Sequence, residues 1–474
     1  MPASPSRPAA VALSLLVAML VAGAAIASML AGKSAMLALL ALPVALTVGL
    51  LLALRPEALL LSILAVRAAI DPVLETLKQD GGASPGAAVN AMVLMLFVVF
   101  LLRRPAPMIN IRVLAWVPFL ALAFAAMRVA PESAQPLRML LIYMTYLAVF
   151  AIPFGLVSRG SDIGRLVGTV IVASIVPTIS GLVQVARGGL PEPEADAGLA
   201  GDSIAAPVDY SGFRIEAVFN HPNIFGCFLV TVIAALLYAI STARASGRPG
   251  YRRMLEVYLL VQIGLLLATQ TRSAWAAAGL LFIAVGLFLE RRYLVYMAVA
   301  LPLLLLVPVV QDRVVDAVMG TRASYGADDQ LTSYAWRLMM WQAAAEWIAQ
   351  RPLLGWGLNA YTEYSGFFFP YDPTHAYDAH NVFVQLAFET GIPGAAAFAG
   401  IFLVGMLATW KRWRVHRAET VVASALTLAF MMTCYSDNVH HYLVANWYTL
   451  FLLGTLHARM TRVADPNARG GVHA

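Results

Sequence analysis

Charged side chains are scarce in this sequence. Asp, Glu, Lys and Arg make up 12% of the 474 residues, against about 25% in soluble globular proteins. The two cysteines cannot build a disulfide framework, and the 34 glycines follow no fixed period. An ordinary soluble enzyme, a disulfide scaffold and a collagen-like chain are therefore excluded. Hydrophobic residues are abundant instead, at 60%, a content that excludes a disordered chain and indicates an all-α polytopic membrane protein.

Apolar runs long enough to cross a bilayer predict fourteen transmembrane helices, or twelve if the two shortest runs are re-entrant. The predicted spans lie near 11–32, 35–54, 57–70, 88–102, 113–129, 139–157, 162–185, 223–243, 254–270, 273–289, 293–310, 387–410, 419–436 and 443–458. Cys227 and Cys434 fall within these runs and are predicted to be small buried side chains. The first run is longer than the apolar core of a signal peptide, so we expect an uncleaved span.

The distribution of charge predicts the orientation. With the N-terminus inside, 20 of the 32 basic residues but only six of the 26 acidic ones fall in cytoplasmic segments. This bias follows the positive-inside rule and predicts that both termini are cytoplasmic. The net charge of +6 is thereby explained by topology, and no nucleic-acid partner is expected.

Two outer segments interrupt the series of spans and divide the chain into three parts. Residues 1–310 are predicted to form an N-terminal transmembrane bundle with a periplasmic loop at 186–222. Residues 311–386 form a large periplasmic loop with an amphipathic helix at 336–350, and residues 387–474 form C-terminal transmembrane helices and a cytoplasmic tail. A loop as long as 311–386 is typically functional, so chemistry is expected on the outer face.

The helix at 336–350 has an apolar stripe at helical spacing. The stripe consists of Trp336, Met339, Met340, Ala343 and Trp347. Such a helix is typical of the membrane surface. Arg337 lies beside the stripe, where it either contacts lipid headgroups or binds an anionic substrate.

His380 is the candidate general base. Asp378 is predicted to cap the helix that begins near Val382, which puts His380 in the first helical turn. The positive end of the helix dipole disfavours imidazolium there, so the ring is expected to be neutral and able to accept a proton. The alternative is a structural histidine that satisfies a loop carbonyl.

Two more arginines stand at outer helix ends, where a cation is costly unless it meets a polar partner. They are Arg214, before the eighth span, and Arg272, between the ninth and tenth spans. Together with Arg337 they could converge on a phosphate or diphosphate, which guanidinium groups bind bidentately. Each of them alone could instead contact a headgroup.

Metal binding is not expected. His375, Asp378 and His380 lie close in sequence, and Asp437 precedes His440 and His441, but neither group has the spacing of a zinc motif. No cofactor is predicted.

Several motifs in 210–400 resemble, in their order, the O-antigen ligase and Wzy-type polymerase superfamily of bacterial membrane glycosyltransferases. They are Arg214 with Phe219-Asn-His-Pro-Asn, Arg272 within Thr-Arg-Ser, Trp336-Arg337 with Trp341, Pro352-Leu-Leu-Gly-Trp-Gly-Leu, and His380-Asn381 with Glu389-Thr-Gly391-Ile-Pro-Gly394. The resemblance implies a GT-C-like helical membrane fold, an undecaprenyl-diphosphate-linked glycan donor, an active site on the periplasmic face of the bacterial inner membrane, and metal-independent inversion at the anomeric carbon. About a dozen spans are usual in this superfamily, and this chain is predicted to have two more.

The resemblance also implies roles for individual residues. His380 would be the catalytic base, and Arg272 and Arg337, with Arg214, would bind the diphosphate. Asn381, Asp378 and Glu389 would support the site. The implied partners are the lipid-linked donor, a glycan or lipid A core acceptor, membrane lipids and a chain-length regulator.

Three functions remain open from the sequence. The first is polymerisation of lipid-linked repeat units into O-antigen or exopolysaccharide, which the extra spans favour. The second is a ligase that transfers glycan to lipid A core or to protein. The third is a transporter of lipid-linked glycans, in which outer arginines would only bind the diphosphate, although no inverted repeat or broken midplane helix is evident.

Overall fold

The computed structural model describes residues 48–76, 85–103, 105–188, 214–245, 247–307, 310–311, 333–369 and 376–461. The predicted span 11–32, most of 35–54, most of the loop 186–222, His375 and the tail from 462 lie outside the described residues. In the described part every regular element is a helix. The all-α class predicted from composition is thus confirmed.

The helices are numbered in chain order. The first half contains α1 (Pro56–Thr76), α2 (Pro85–Arg103), α3 (Pro105–Met108), α4 (Ile111–Leu114), α5 (Trp116–Met127), α6 (Pro136–Ser158), α7 (Ile163–Ala173) and α8 (Ile175–Ala186). The second half contains α9 (Pro222–Ala245), α10 (Pro249–Ala268), α11 (Arg272–Phe288), α12 (Arg292–Leu304), α13 (Ser333–Gln350), α14 (Tyr361–Phe368), α15 (Val382–Trp410), α16 (Arg417–Ser436) and α17 (Leu443–Thr461). Short 3₁₀ turns at Glu132–Ala134 and Val439–His441 precede α6 and α17.

Six helical segments of the described residues are long and apolar enough to cross a membrane. They are Pro85–Arg103, Glu132–Ser158, Ile163–Ala186, Pro222–Arg244, Val382–Trp410 and Arg417–Ser436. Shorter apolar helices occupy Ile111–Met127, Arg272–Phe288 and Arg292–Leu304. The other long helices, α1, α10 and α17, contain more charged or polar residues; α1, for example, carries the buried Arg67 paired with Asp71. The chain is therefore polytopic, and the sequence-based count of twelve to fourteen includes these less apolar helices.

The helices alternate in direction, so their connections gather at two ends of the bundle. One end, here called the basic end, carries arginines at many helix termini. They include Arg103, Arg159, Arg244, Arg292 and Arg412. Ion pairs crosslink this end, with Arg292 Nη1 and Arg252 Nε lying 2.8 and 2.9 Å from the same oxygen of Glu256. The predicted site residues lie at the opposite end, here called the site end.

Buried polar contacts hold the helices together near the site end. Trp447 Nε1 of α17 donates to Thr145 Oγ1 of α6 (3.0 Å), and Tyr448 donates to the carbonyl of Leu64 in α1 (2.6 Å). Tyr146 donates to the carbonyl of His440 (2.8 Å). Because an unsatisfied polar group inside a bilayer is costly, these bonds fix the relative positions of three helices beneath the site.

Helix α13 lies where the sequence predicts the amphipathic helix 336–350, but its apolar stripe packs on protein. Trp336 and Met340 are 7% and 0% exposed and belong to a hydrophobic cluster with Tyr361 of α14 and Phe388 of α15. The stripe therefore does not form the membrane-surface contact predicted from its spacing. Its burial attaches α13 to the start of α15.

Helix α15 is interrupted at Gly391, as its glycine and proline residues predict. Gly391 has φ 77° and ψ 169°, outside the helical region. The break exposes backbone groups that bind the preceding loop, since Ile392 N donates to Pro352 O (2.8 Å) and Trp356 N to Phe388 O (2.8 Å). The loop is thereby fastened to the first half of α15, where the site lies.

Replacement of Gly391 by alanine is predicted to destabilise the protein. The side chain would force a strained positive φ and overlap the backbone of Leu353, at a cost of about 1–3 kcal/mol or more. Thermal unfolding in detergent should show a lower midpoint. Gly400→Ala, in the same helix with no atom within 4 Å of the new Cβ, is the control and should keep or slightly raise the midpoint. Equal midpoints for the two variants would contradict the strain at Gly391.

Candidate active site

The helix cap beside His380 differs from the one predicted. Asn381, not Asp378, is the N-cap of α15, and its side chain accepts from Phe383 N (2.9 Å) and Val384 N (3.2 Å). His380 therefore precedes the helix instead of lying in its first turn, and it has φ 48°. The prediction missed this because Asp378 and Asn381 are both capping residue types, and the left-handed conformation of His380 shifts the start of the helix.

A buried aspartate is the partner of His380. Nδ1 of His380 lies 3.2 Å from Asp437 Oδ1, and the side chains are 38% and 5% exposed. With Nδ1–H donating to the carboxylate, Nε2 is left as a proton acceptor. Trp336 packs edge-on against the imidazole, and Trp341 Nε1 donates to Ala379 O (2.6 Å). Two tryptophans of α13 thus help to position the ring.

Asp437 remains charged because its neighbours compensate for burial. Burial raises the pKa of Asp437, but the hydrogen bond and charge of His380, the charge of Arg337 and a hydrogen bond from Tyr442 together hold that pKa well below its usual range. Asn223 Nδ2 also donates to Oδ2 (2.6 Å) and Asn438 N to Oδ1 (2.8 Å). The carboxylate can therefore orient His380 and stabilise it when it takes up a proton.

Two of the three candidate arginines are held close to this pair by hydrogen bonds. Arg214 donates from Nη2 to Asn223 Oδ1 (3.2 Å) and from Nε to Thr269 O (3.1 Å). Arg337 Nη1 donates to Ser436 O (2.6 Å), next to Asp437 in the chain. Arg272 is exposed at the start of α11, directly after Thr271.

Thr271 links Arg272 to the same network, because its hydroxyl donates to Asn223 Oδ1 (3.3 Å). Asn223 thus connects the segments that carry Arg214 and Arg272 to Asp437. His221 lies nearby and its ring nitrogen accepts from Asn223 N (3.1 Å). Burial lowers the pKa of His221, and Arg214 and His380 lower it further, although Asp437 acts in the opposite direction.

The predicted supporting residues hold the loop and helix together. Asn381 N donates to Asn438 Oδ1 (3.1 Å), which joins the two segments that carry His380 and Asp437. Glu389 is fully buried and accepts from Asn359 N (2.9 Å) and Gln385 Nε2 (3.0 Å). Glu389 therefore stabilises the loop before α14. Asp378 accepts from the hydroxyl of Thr362 of α14 (3.0 Å).

Sequence reasoning missed Asp437 and Asn223 as site residues. Asp437 was considered only as a metal ligand beside His440 and His441, and Asn223 only as part of a motif. Both are polar residues next to the outer ends of predicted spans, which is a signal that could have selected them. Their pairing with His380 depends on contacts between segments far apart in the chain.

The arrangement combines a proton acceptor, a buried anion and several cations at one end of the bundle. Such a set can remove a proton from a hydroxyl and stabilise a departing phosphate group. Among the described residues, no group of three or more His, Cys, Asp or Glu side chains is placed to hold a metal ion.

Residues 257–399 match the family model described as O-antigen ligase. The match contains Arg272, Arg337 and His380, whereas Arg214 and Asp437 lie outside it. It confirms the resemblance of this part of the sequence to the O-antigen ligase and Wzy-type superfamily. No curated protein matches the chain.

The hydrogen bonds and positive charges around Asp437 predict a pH-dependent contribution to stability. Because folding lowers the pKa of Asp437, the contribution is fully present above the unfolded value of about 4 and is lost as pH falls below it. Asp437→Asn should destabilise the protein at pH 7 by about 1–3 kcal/mol, with a smaller difference near pH 3. Thermal unfolding across pH measures this difference.

Glu57→Gln is the control for that titration. Glu57 pairs with Arg165, which is 59% exposed, at 3.3 Å at the basic end, and exposed ion pairs contribute little. The thermal midpoint of Glu57→Gln should equal that of the unmodified protein at each pH. A difference for Asp437→Asn that grows as the pH falls would contradict the assigned direction.

Proposed function

We propose that this protein is a metal-independent inverting glycosyltransferase that uses an undecaprenyl-diphosphate-linked glycan as donor. The observation that carries the proposal is the His380–Asp437 pair at 3.2 Å beside Arg337. The match of residues 257–399 to the O-antigen ligase family model supports the same chemistry. The basic end of the bundle faces the cytoplasm by the positive-inside rule, and the site end faces the periplasm of a bacterial inner membrane.

His380 acts as general base in this reaction. Nε2 takes the proton of the acceptor hydroxyl while its oxygen attacks the anomeric carbon. The bond between that carbon and the diphosphate oxygen breaks on the opposite face, and its electron pair leaves with the lipid diphosphate. One displacement of this kind inverts the anomeric configuration. Asp437 keeps Nδ1 protonated and stabilises the imidazolium that forms.

Arg272, Arg337 and Arg214 stabilise the charge that grows on the leaving diphosphate. A guanidinium group remains cationic and offers paired donors that match phosphate oxygens. Arg214 and Arg337 each have protein acceptors, so their guanidinium planes are already oriented before the donor binds. This preorganisation reduces the cost of charge stabilisation in the transition state.

Polymerisation of lipid-linked repeat units is the leading reaction, favoured by the number of predicted spans. Transfer to lipid A core or to protein is the second candidate, favoured by the description of the matching family. Both reactions use the same donor and the same base, and they differ in the acceptor alone.

Substitution of the site residues is predicted to slow product formation strongly. With purified protein and a pool of lipid-linked oligosaccharide in the presence of EDTA, His380→Ala should lose at least about a hundredfold in rate because no base remains. Arg272→Ala and Arg337→Ala should lose about 10²–10³-fold through lost charge stabilisation. Gel separation of labelled glycan measures the product.

His416→Ala and Arg253→Ala, both at the basic end, are the matched controls and should retain activity. Turnover that persists in all three site variants would overturn the site assignment, whereas movement of the lipid-linked glycan without product formation, even in the unmodified protein, would favour the transporter. Loss of wild-type activity on chelation would contradict the metal-independent mechanism.

The same assay distinguishes the two acceptors. A polymerase should extend the lipid-linked repeat unit into a ladder whose bands differ by one unit. A ligase should instead give a shifted core band when lipid A core is supplied. When lipid A core is left out, a ligase should form no ladder. Reactions with and without lipid A core, resolved on one gel, therefore decide between the two reactions.

A further inference from the structure

A second group of polar side chains lies beside His380 and takes no part in the mechanism above. It consists of Asp378, Gln385 and His441, with Arg138 nearby, and is here called the acceptor cluster. Gln385 Nε2 lies 3.2 Å from His441 Nε2 and 3.4 Å from Asp378 Oδ1. The amide of Gln385 also accepts from Ala379 N (3.3 Å). One side chain thus ties the cluster to the residue before His380.

Several polar atoms of the cluster have no hydrogen-bond partner within the described part of the chain. Asp378 is half-buried and uses Oδ1 for Thr362 and Gln385, which leaves Oδ2 available. Nδ1 of His441 is similarly available. The hydroxyl of Tyr361, next to the cluster, is buried and has no hydrogen-bond partner. Burial raises the pKa of this hydroxyl, and the negative charge of Asp378 raises it further. A buried polar atom without a partner requires an explanation, and a polar ligand that also binds the two available atoms of Asp378 and His441 would supply one.

Asp378 and His441 belong to the two segments that carry His380 and its partner Asp437. Asp378 precedes His380 by two residues, and His441 follows Asp437 by four. The hydrogen bonds of the cluster are nevertheless separate from those of the candidate arginines, because Arg214 donates to Asn223 and Thr269, and Arg337 donates to Ser436. The cluster therefore adjoins His380 without overlapping the contacts of Arg214 and Arg337.

We propose that Asp378 and His441 bind hydroxyl groups of the acceptor sugar and orient it toward His380, with Arg138 contacting sugar oxygens at the edge. A carboxylate accepts hydrogen bonds from neighbouring hydroxyls of a sugar ring, and a neutral imidazole can both donate and accept. Burial lowers the pKa of His441, as does Arg138, while Asp378 raises it. The inference rests on the proposed glycosyl transfer and specifies its acceptor site.

The test separates acceptor binding from donor binding. The acceptor probe is a fluorescently tagged repeat-unit oligosaccharide without the lipid diphosphate, which can serve only as acceptor. The donor-side probe is undecaprenyl diphosphate, whose binding is read from the shift in thermal midpoint. Asp378→Asn and His441→Gln should raise the acceptor KM by about 10–100-fold, with kcat within a few-fold and an unchanged shift from undecaprenyl diphosphate.

Thr362→Val is the matched control, because it removes the Thr362 hydrogen bond to Asp378 and keeps the carboxylate. Its acceptor KM should remain near the wild-type value. An unchanged KM in Asp378→Asn and His441→Gln, or an equal rise in Thr362→Val, would overturn the acceptor site while wild-type transfer stands. An inactive wild-type protein would overturn the proposed function itself, and the acceptor site with it.

Discussion

The site end depends on keeping one buried carboxylate charged. An isolated anion removed from water is costly, and only donors and positive charges around it offset that cost. Asp437 obtains them from α9 through Asn223, from α13 through Arg337 and from the segment before α15 through His380. Because each donor comes from a different part of the chain, the compensation of one charge also fixes how these elements meet.

The class of fold could be predicted from composition, because long apolar runs and the bias of basic residues are sequence-local properties. The break at Gly391 was predictable for the same reason, since glycine and proline act through their own backbone. Whether the apolar stripe of α13 faces lipid or protein could not be predicted from the sequence. Trp336 and Met340 have the same spacing in both cases, and their burial depends on Tyr361 and Phe388.

The candidate site was predictable in its residue types but not in its pairing. The three arginines stood out because a cation at an outer helix end is costly unless it meets a polar partner, and His380 stood out because it lies at the start of a predicted helix. Asp437 did not stand out as their partner, since it lies 57 residues from His380 and no local pattern connects the two. The cap was also misassigned, because the choice between Asp378 and Asn381 depends on the left-handed backbone at His380.

Under the proposed function, the donor and the acceptor sugar bind to different groups of one site. A guanidinium group attracts a diphosphate more strongly than a neutral sugar, and hydrogen bonds to Asn223 and Ser436 hold Arg214 and Arg337 in place. The acceptor cluster presents a carboxylate oxygen, which repels a diphosphate and accepts hydroxyl protons. His380 follows Asp378 of the acceptor cluster by two residues and contacts Asp437, so under the proposed function donor and acceptor would meet where the proton has to be transferred.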